Sequence, residues 1–404
     1  MISLPKIDHL IFQLRSTFAR INKKFCSCYT FMLTFHTHFE AILFWFLATS
    51  FLVQVLFHAF LYSRFAFYRK KISGSRPLPV SIVICARSEL QNLRKNIGAV
   101  LEQDGNGCEV VLVDDCSWDE TENFLKELKP KHKHLKVVSI KEQEKYRHGK
   151  KFALTLGIKA ATHEHLLLTD ADCIPASSQW LKNMQDNFND KKEIVLGYGA
   201  VTKGKGLLNR IIRTDVFMIA LRYFSFALAG MPYMGTGRNL AYRKSLFFRN
   251  KGFANHNHIA SGDDDLFVNE TANKNNVAIE ISKASFTFTE AAKNFNAWFR
   301  QKSRHLSTSG RYRMQHKIFL SADAISAFVF YTALIVWLAM GFDWRIAVAL
   351  FSARFVFQLL INIKSMLKLG EKDLIILFPF IEPILVFLSP IFLLSSMQKQ
   401  TTWK

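Results

Sequence analysis

The chain has 404 residues, a formal net charge of +21 and a hydrophobic fraction of 50%. Its positive charge points to a nucleic acid, an anionic membrane or an acidic substrate as partner. Because the sequence has no RNA-recognition motif, no zinc-finger spacing and no heptad zipper after a basic region, we expect no nucleic-acid partner. The six cysteines form no CxxC pair, so we interpret them as reduced and mostly buried residues.

The first apolar segment predicts a transmembrane helix over residues 39–62. At about 1.5 Å per residue, this length spans a hydrocarbon core of about 30 Å. The segment lacks a small-residue cleavage site, which argues against a signal peptide. Residues 1–38 form a mildly basic leader, in which Met32 is an alternative start.

Residues 78–198 alternate short apolar runs with helix-like stretches, which is typical of a parallel α/β sheet. The predicted strands are Val80–Ala86, Glu109–Val113, Leu135–Ile140, His165–Thr169 and Glu193–Gly197. The predicted helices are Glu89–Glu102, Thr121–Leu128 and Lys150–Ala161.

Two of the predicted strands end in paired carboxylates. Asp114 and Asp115 follow one strand, and Asp170 and Asp172 follow another. Ligands of open α/β sheets bind beyond the carboxyl ends of the strands. Carboxylates placed there can hold a hard divalent cation, which in turn holds a diphosphate. The pattern therefore indicates a nucleotide site at one edge of the sheet.

The rest of the chain is apolar and basic. Residues 206–230 fit either an amphipathic helix on the membrane or a core helix. Residues 320–397 contain three apolar segments, which predict a C-terminal transmembrane region. The lysines at positions 364, 368 and 372 lie between the second and third of these segments. By the positive-inside rule this connection, and with it the domain over 78–313, is expected on the cytoplasmic side of the cell membrane.

Seven short motifs in this order resemble those of the family 2 glycosyltransferases. Ala86-Arg87-Ser88-Glu89 resembles the family's ARNE turn, with Ser88 in place of Asn. The other six are 114–119 (DDxSxD), 147–151 (the GK segment), 170–172 (DxD), 235–241 (the acceptor-side glycine loop), 262–265 (GDD) and 301–305 (QxxRW). Each motif alone is a weak signal, but seven in family order form a strong one.

The resemblance implies a GT-A fold, an inverting transfer from a nucleotide-diphosphate sugar to a lipid-linked or glycan acceptor, and Mg²⁺ or Mn²⁺ on Asp170 and Asp172. It implies donor-binding roles for Ala86, Arg87, Glu89, Asp114, Asp115, Lys150, Lys151, Asp170, Gln301 and Arg304. It implies acceptor-side roles for Gly235, Gly237, Arg238, Asn239 and His305. The membrane segments add membrane lipids as partners.

The resemblance places the catalytic base among Asp263, Asp264 and Asp265. Alignment with the GDD form favours Asp264, and alignment with the EDxDL form favours Asp263. Both stay open from the sequence, and the carboxylates that are not the base fit the first turn of a helix.

His305 stands where the family has Trp, which removes an aromatic platform for the acceptor and argues against processive synthesis. It also leaves a non-catalytic membrane scaffold on the same fold as an alternative. A nucleotidyltransferase is disfavoured because the loop after the first predicted strand has no glycine. An independent transporter is disfavoured by the size of the soluble domain.

Overall fold

The computed structural model describes residues 37–70, 78–104, 107–141 and 149–397. Most of the predicted leader and Arg147 of the GK segment lie outside these residues. The strands are β1 Val80–Ala86, β2 Cys108–Asp115, β3 Leu135–Ile140, β4 His165–Asp170, β5 Ile174–Pro175, β6 Ile194–Leu196, β7 Gly199–Val201, β8 Leu240–Arg243, β9 Val277–Ile279 and β10 Thr287–Thr289.

The helices alternate with the strands and then continue beyond them. They are α1 Thr37–Ala66, α2 Leu90–Leu101, α3 Thr121–Leu128, α4 Lys150–Ala160, α5 Trp180–Gln185, α6 Leu207–Leu228, α7 Lys244–Arg249, α8 Asp265–Thr271, α9 Phe295–Leu306, α10 Met314–Ala339, α11 Trp344–Leu369 and α12 Phe378–Ser396.

The main sheet has the order β3-β2-β1-β4-β8-β6-β9, with β8 antiparallel to both of its neighbours. All seven residues of β1 are buried, because a central parallel strand is covered on both faces. β2 lies on one side of β1 and β4 on the other, so the strand order reverses between β1 and β4. The predicted α/β sheet is confirmed, and a crevice at this reversal is where such folds bind ligands.

A smaller sheet, β5-β10-β7, lies beside the main one. In it, Thr289 of β10 pairs with Val201 of β7. β5 follows the acidic end of β4 in the chain, and helix α9 follows β10 after a few residues. The pairing of β5 with β10 therefore brings these two parts of the chain together.

Helix α6 has the character of a core helix. Its buried residues include Arg213, Thr214, Asp215 and Phe217, and consecutive residues of a helix face different sides. The guanidinium of Arg213 donates to Asp373 at 2.7 and 2.8 Å and also pairs with Glu371. These pairs satisfy a buried charge that would otherwise be costly.

Helices α1, α10, α11 and α12 are long and apolar enough to cross a membrane. The described residues divide into two compact units, one formed by those up to Gln54 with Ile325–Arg354, and one by those within Val55–Ala324 and from Phe355 onward. Within the first unit, Arg354 donates to the Tyr331 hydroxyl at 2.9 Å. The second unit contains the sheets and the candidate site.

Candidate active site

A small pocket opens at the reversal between β1 and β4. Its lining includes Cys85 from β1, Asp170 from β4, Lys150 from the start of α4, and Asp263 and Asp264 from the loop before α8. Cys85 and Asp170 lie directly opposite each other in the register of the two strands. The topology therefore brings residues from four distant parts of the sequence to one point.

Lys150 connects the end of β4 to the loop before α8. Its Nζ lies 2.9 Å from Oδ1 of Asp170 and 2.9 Å from Oδ2 of Asp263. Burial works against the charge of Lys150, but the carboxylates of Asp170 and Asp263 raise its pKa well above the usual value. The ammonium of Lys150 is therefore a fixed positive charge in the pocket at the carboxyl ends of β1 and β4.

Lys151, the next residue, points elsewhere. Its buried ammonium donates to the carbonyl oxygens of His256 and Ile259 at 2.7 and 3.2 Å. Burial lowers its pKa to about 8. It stabilises the loop that leads to the acidic cluster, which consists of Asp263, Asp264 and Asp265. Lys151 is not among the residues that line the pocket.

Three neighbouring aspartates occupy three different environments. Burial opposes ionisation of Asp263, but the ammonium of Lys150 outweighs this and lowers its pKa. Oδ2 of Asp265 accepts from the Tyr312 hydroxyl at 2.7 Å and bonds to the hydroxyl of Thr308. Burial raises the pKa of Asp265.

Asp264 also lines the pocket, and its carboxylate has no ion pair among the residues that the structure describes. Its Oδ2 accepts from the backbone N–H of Gly237 at 2.7 Å, and its Oδ1 accepts from the N–H of Asp265 at 2.7 Å. Burial, and then the charges of Asp263 and Asp265, raise its pKa to about 7. A carboxylate with that pKa suits general base catalysis near neutral pH.

The ends of β1 and β2 form a second part of the site. Arg87 lies 3.9 Å from Oδ2 of the buried Asp115, and Oδ1 of the buried Asp114 has no hydrogen-bond partner among the described residues. Ala86, opposite Asp114 in the register, is fully buried. Glu89 follows this turn and accepts from the side chain of Asn92 at 2.5 Å.

The residues after β4 could hold a metal. Ligand atoms of Asp170, Asp172 and Cys173 lie within 4.8 Å of one another. Two carboxylates suit Mg²⁺ or Mn²⁺. Burial, and then Asp172 and Asp170, raise the pKa of the Cys173 thiol well above its usual value, and a soft sulfur ligand suits these hard cations less well than a carboxylate does. The pair of carboxylates fits the group, and the hydroxyl of Thr289 orients Asp172 by a 3.0 Å hydrogen bond to its Oδ2.

In the glycine loop over residues 235–241, the backbone lies close to neighbouring side chains. A Cβ on Gly235 would lie 2.9 Å from Leu240. The carbonyl of Arg238 accepts from the hydroxyls of Thr169 and Thr287 at 2.9 and 3.0 Å. The loop therefore presents the N–H of Gly237 to Asp264 from a fixed backbone.

Asn239 ends this loop inside the protein and is fully buried. Its Oδ1 accepts from Nε1 of Trp180 at 3.0 Å, and its Nδ2 donates to the carbonyls of Tyr198 and Ser285. A side chain without exposed surface has no face for an acceptor, so its role in this structure is to hold the loop.

We expect Asn239→Ala to lower the free energy of unfolding by about 3 kcal/mol, because it leaves the buried N–H of Trp180 and two carbonyls without partners. Thermal unfolding of the detergent-solubilised protein, followed by fluorescence, measures this. Asn275→Ala, at an exposed asparagine, is the control and should change stability by less than about 0.5 kcal/mol. Equal unfolding temperatures for the two variants would contradict the assignment.

Helix α9 carries Gln301, Arg304 and His305, of which Gln301 and His305 are exposed and Arg304 is half-buried. The hydroxyl of Thr308, just after the helix, bonds to Asp265. This contact ties the end of α9 to Asp265, whereas the side chains of Gln301, Arg304 and His305 are not among the residues that line the pocket.

Several residues of the site have no counterpart in the sequence prediction. Trp118 is 72% exposed, and the guanidinium of Arg87 lies 5.8 Å from the centre of its ring. Thr289, Thr308 and Tyr312 each bond to a carboxylate of the site. The position of Trp118 inside the DDxSxD motif is a sequence signal that could have identified it as a site residue. The roles of Thr289, Thr308 and Tyr312 depend on contacts that exist only in the folded chain.

Comparison with known proteins gives a family match over part of the chain and several similar proteins. The family model described as glycosyl transferase family 2 matches residues 81–249. The probable glycosyltransferase YdaM of Bacillus subtilis is 24% identical over 275 residues, which are 62% of this chain and 62% of that protein. The beta-monoglucosyldiacylglycerol synthase of Nostoc sp. is 34% identical over 117 residues, or 28% of this chain and 24% of that protein. The matched part thus spans less than two thirds of these relatives' length.

A solved structure shares the fold. The mannosyltransferase PcManGT of Pyrobaculum calidifontis, in complex with GDP-Man and Mn²⁺, superimposes with a TM-score of 0.56 and 19% identity. The alignment covers 85% of this chain and 98% of that one. At 19% identity, this similarity supports a shared fold and nothing beyond it.

Proposed function

Residues 81–249 belong to glycosyltransferase family 2, and from this premise we propose that the chain is an inverting membrane glycosyltransferase. It transfers a sugar from a nucleotide-diphosphate sugar to a lipid-linked or glycan acceptor. The observation that carries the proposal is the position of Lys150 between Asp170 and Asp263, with Asp264 in the same pocket. A cationic group for a leaving diphosphate and a carboxylate for an attacking hydroxyl thus lie side by side.

In this proposal, Asp264 is the general base. It takes the proton of the acceptor hydroxyl as that oxygen attacks the anomeric carbon and the bond to the diphosphate breaks. The N–H groups of Gly237 and Asp265 hold its carboxylate in place, and the ion pair of Asp263 with Lys150 leaves Asp263 less suited to accept a proton. This favours the GDD alignment over the EDxDL one.

Lys150 stabilises the charge that develops on the leaving diphosphate, because a fixed ammonium in a partly buried site interacts more strongly than one in water. We assign this role to Lys150 and a structural one to Lys151. Asp170 and Asp172 would hold Mg²⁺ or Mn²⁺, which supplies Lewis-acid stabilisation of the same oxygens when bound. The shared fold with a mannosyltransferase solved with Mn²⁺ makes Mn²⁺ the first metal to test.

The pH dependence of transfer follows from the pKa of Asp264. A general base acts only when ionised, and its pKa of about 7 predicts a rate that falls below that pH and levels off above it. With donor saturating, we expect about a tenfold loss of rate per pH unit below the pKa. A rate that stays constant from about pH 5.5 to 8 would contradict the assignment of this base.

Trp118 is proposed to stack on the nucleobase beside Arg87. Removing an aromatic stacking partner costs roughly 1–3 kcal/mol per base, so we expect Trp118→Ala to raise the Kd of the nucleoside diphosphate roughly tenfold or more. Trp118→Phe keeps an aromatic face and should restore most of the affinity. Calorimetric titration measures both, and unchanged binding by the Ala variant would contradict the role.

The acceptor is proposed to come from the membrane, and the catalytic domain to face the cytoplasm. The connection between α11 and α12 is held against the domain by Lys203, which lies 2.8 Å from Asp373 and donates to the carbonyl of Gly370 at 2.9 Å. The lysine-rich end of α11 and the domain are therefore on the same side, and the positive-inside rule makes that side cytoplasmic.

The experiment that tests this function uses membranes carrying the protein and radiolabelled nucleotide sugars with Mn²⁺. Label that passes into organic solvent identifies a lipid acceptor, and label in insoluble material identifies a glycan. Donor that binds without any transfer, with either membrane lipid extract or glycan present, would contradict the enzyme and favour a non-catalytic scaffold.

A further inference from the structure

The C-terminal helix α12 has the length and apolarity of a membrane span, but its packing is that of a helix lying on the catalytic domain. Three of its residues share one buried cluster with residues from β7, α6 and α9. The members of this cluster are Val201, Ile212, Trp298, Ile381, Leu385 and Phe392. Contact with one domain along most of the helix is unusual for a segment that leaves that domain to cross a bilayer.

The start of α12 is fixed to the middle of α6. The rings of Phe378 and Phe217 lie 6.3 Å apart. Just before the helix, Asp373 pairs with Arg213 at 2.7 Å. The first turn of α12 is therefore on the side of the catalytic domain.

The end of α12 is fixed to the same domain. The ring of Phe392 lies 5.1 Å from both Trp298 and Phe299 in the first half of α9. Val201, in the same cluster, pairs with Thr289, whose hydroxyl bonds to Asp172 of the proposed metal site. The last turns of α12 therefore pack on α9, in a cluster that also includes a residue of β7.

These two contacts conflict with a bilayer crossing. From Phe378 to Phe392 the helix rises about 21 Å, while a span must carry the chain across a hydrocarbon core of about 30 Å. A helix whose start and end both touch one domain does not move the chain to the other side of the membrane.

The outer face of α12 remains apolar. Phe380, Ile384, Ile391 and Leu394 are 70%, 46%, 51% and 68% exposed, and their spacing places them on one side of a helix. An exposed apolar strip of this kind marks a contact surface. Lys372 precedes the helix and two lysines follow it in the sequence, so the charge pattern also favours both ends on the same side.

We propose that α12 lies in the plane of the membrane, in the leaflet on the catalytic side, with its outer face against lipid acyl chains and its inner face supporting α6 and α9. The chain then crosses the membrane with α1, α10 and α11, and both ends of α12 are on the catalytic side. This inference rests on packing and is independent of the proposed function.

Topology in sealed membrane vesicles tests this directly. One epitope is placed after Lys404, a second in the exposed loop at Lys191, and a third after Met340 between α10 and α11, which we expect across the membrane. The proposal predicts that external protease removes the Lys404 and Lys191 epitopes in the same vesicle orientation. Removal of the Lys404 epitope together with the Met340 epitope would overturn it.

Membrane depth gives a second test that leaves the termini unmodified. Spin labels at Phe380 and Leu394, in a background without native cysteines, should report equal depth if α12 lies in the plane. If α12 spans the membrane, the two depths should differ by about 21 Å, and that result would overturn the proposal. Labels at Val348 and Leu360 of α11, both exposed, provide the control for a helix that crosses.

Discussion

Asp264→Asn is expected to abolish sugar transfer while the protein still binds its donor. The change keeps the shape of the side chain and its contact with the N–H of Gly237, but removes the group that accepts the proton. Loss of a positioned general base lowers rates by roughly 10²–10⁴-fold. The measurement is the rate of transfer under saturating donor, together with calorimetric titration of the nucleotide sugar.

Two matched variants make this result specific. Asp190→Asn changes an exposed aspartate and should leave the rate unchanged. Asp263→Asn breaks the ion pair with Lys150 and should weaken donor binding as well as transfer. If Asp263→Asn loses transfer with donor binding intact while Asp264→Asn remains active, the base is Asp263.

Asp172→Asn is expected to remove the dependence of the enzyme on a divalent metal together with its activity. The variant leaves one carboxylate, Asp170, where the structure provides two. Because a metal bound at this site would contribute several kcal/mol to stabilising the leaving diphosphate, we expect a loss of at least roughly 10²-fold in transfer. Chelation of the wild-type protein should produce a similar loss, reversed by Mn²⁺.

Thr289→Val tests whether activity is lost because metal binding is weakened or because the fold is disrupted. It removes only the hydroxyl that donates to Asp172, and loss of such an outer contact weakens metal binding by roughly 10–100-fold. Excess Mn²⁺ should restore transfer in Thr289→Val but not in Asp172→Asn. Full activity of Asp172→Asn at low Mn²⁺, or in a chelator, would contradict the metal site.

The predictable part of the fold is the part encoded locally. β1, β3 and α3 have the predicted bounds, because each is an apolar or amphipathic run with clear ends. β2 extends through Asp114 and Asp115, past the predicted Val113, because these residues pair with Ser139 and Ile140 of β3. Such pairing is a property of the sheet and leaves no local signal.

The choice between Lys150 and Lys151 shows why the site was only partly predictable. Adjacent helical residues point about 100° apart, so the orientation of α4 on the sheet decides which lysine faces the pocket. That orientation depends on Gly157, where a Cβ would lie 2.8 Å from both Val83 and Val113. The sequence shows a glycine there, but not the two valines that it approaches.

The roles within the acidic cluster depend on partners distant in sequence. Asp263 forms an ion pair with Lys150, and Asp265 accepts hydrogen bonds from the hydroxyls of Thr308 and Tyr312. The motif alone leaves Asp264 and Asp263 open as the base, since each is favoured by a different alignment. Once these contacts exist, Asp264 is the carboxylate left facing the pocket without an ion pair.

Release of nucleoside diphosphate shows most directly whether this pocket cleaves a nucleotide-diphosphate sugar. Purified protein in membranes is incubated with a panel of UDP- and GDP-sugars, with and without Mn²⁺, in the presence of membrane lipid extract. We predict Mn²⁺-dependent release from one donor, and none from the same donor with Asp264→Asn. No release from any donor, by protein that is folded and membrane-inserted, would contradict the account and favour a non-catalytic scaffold.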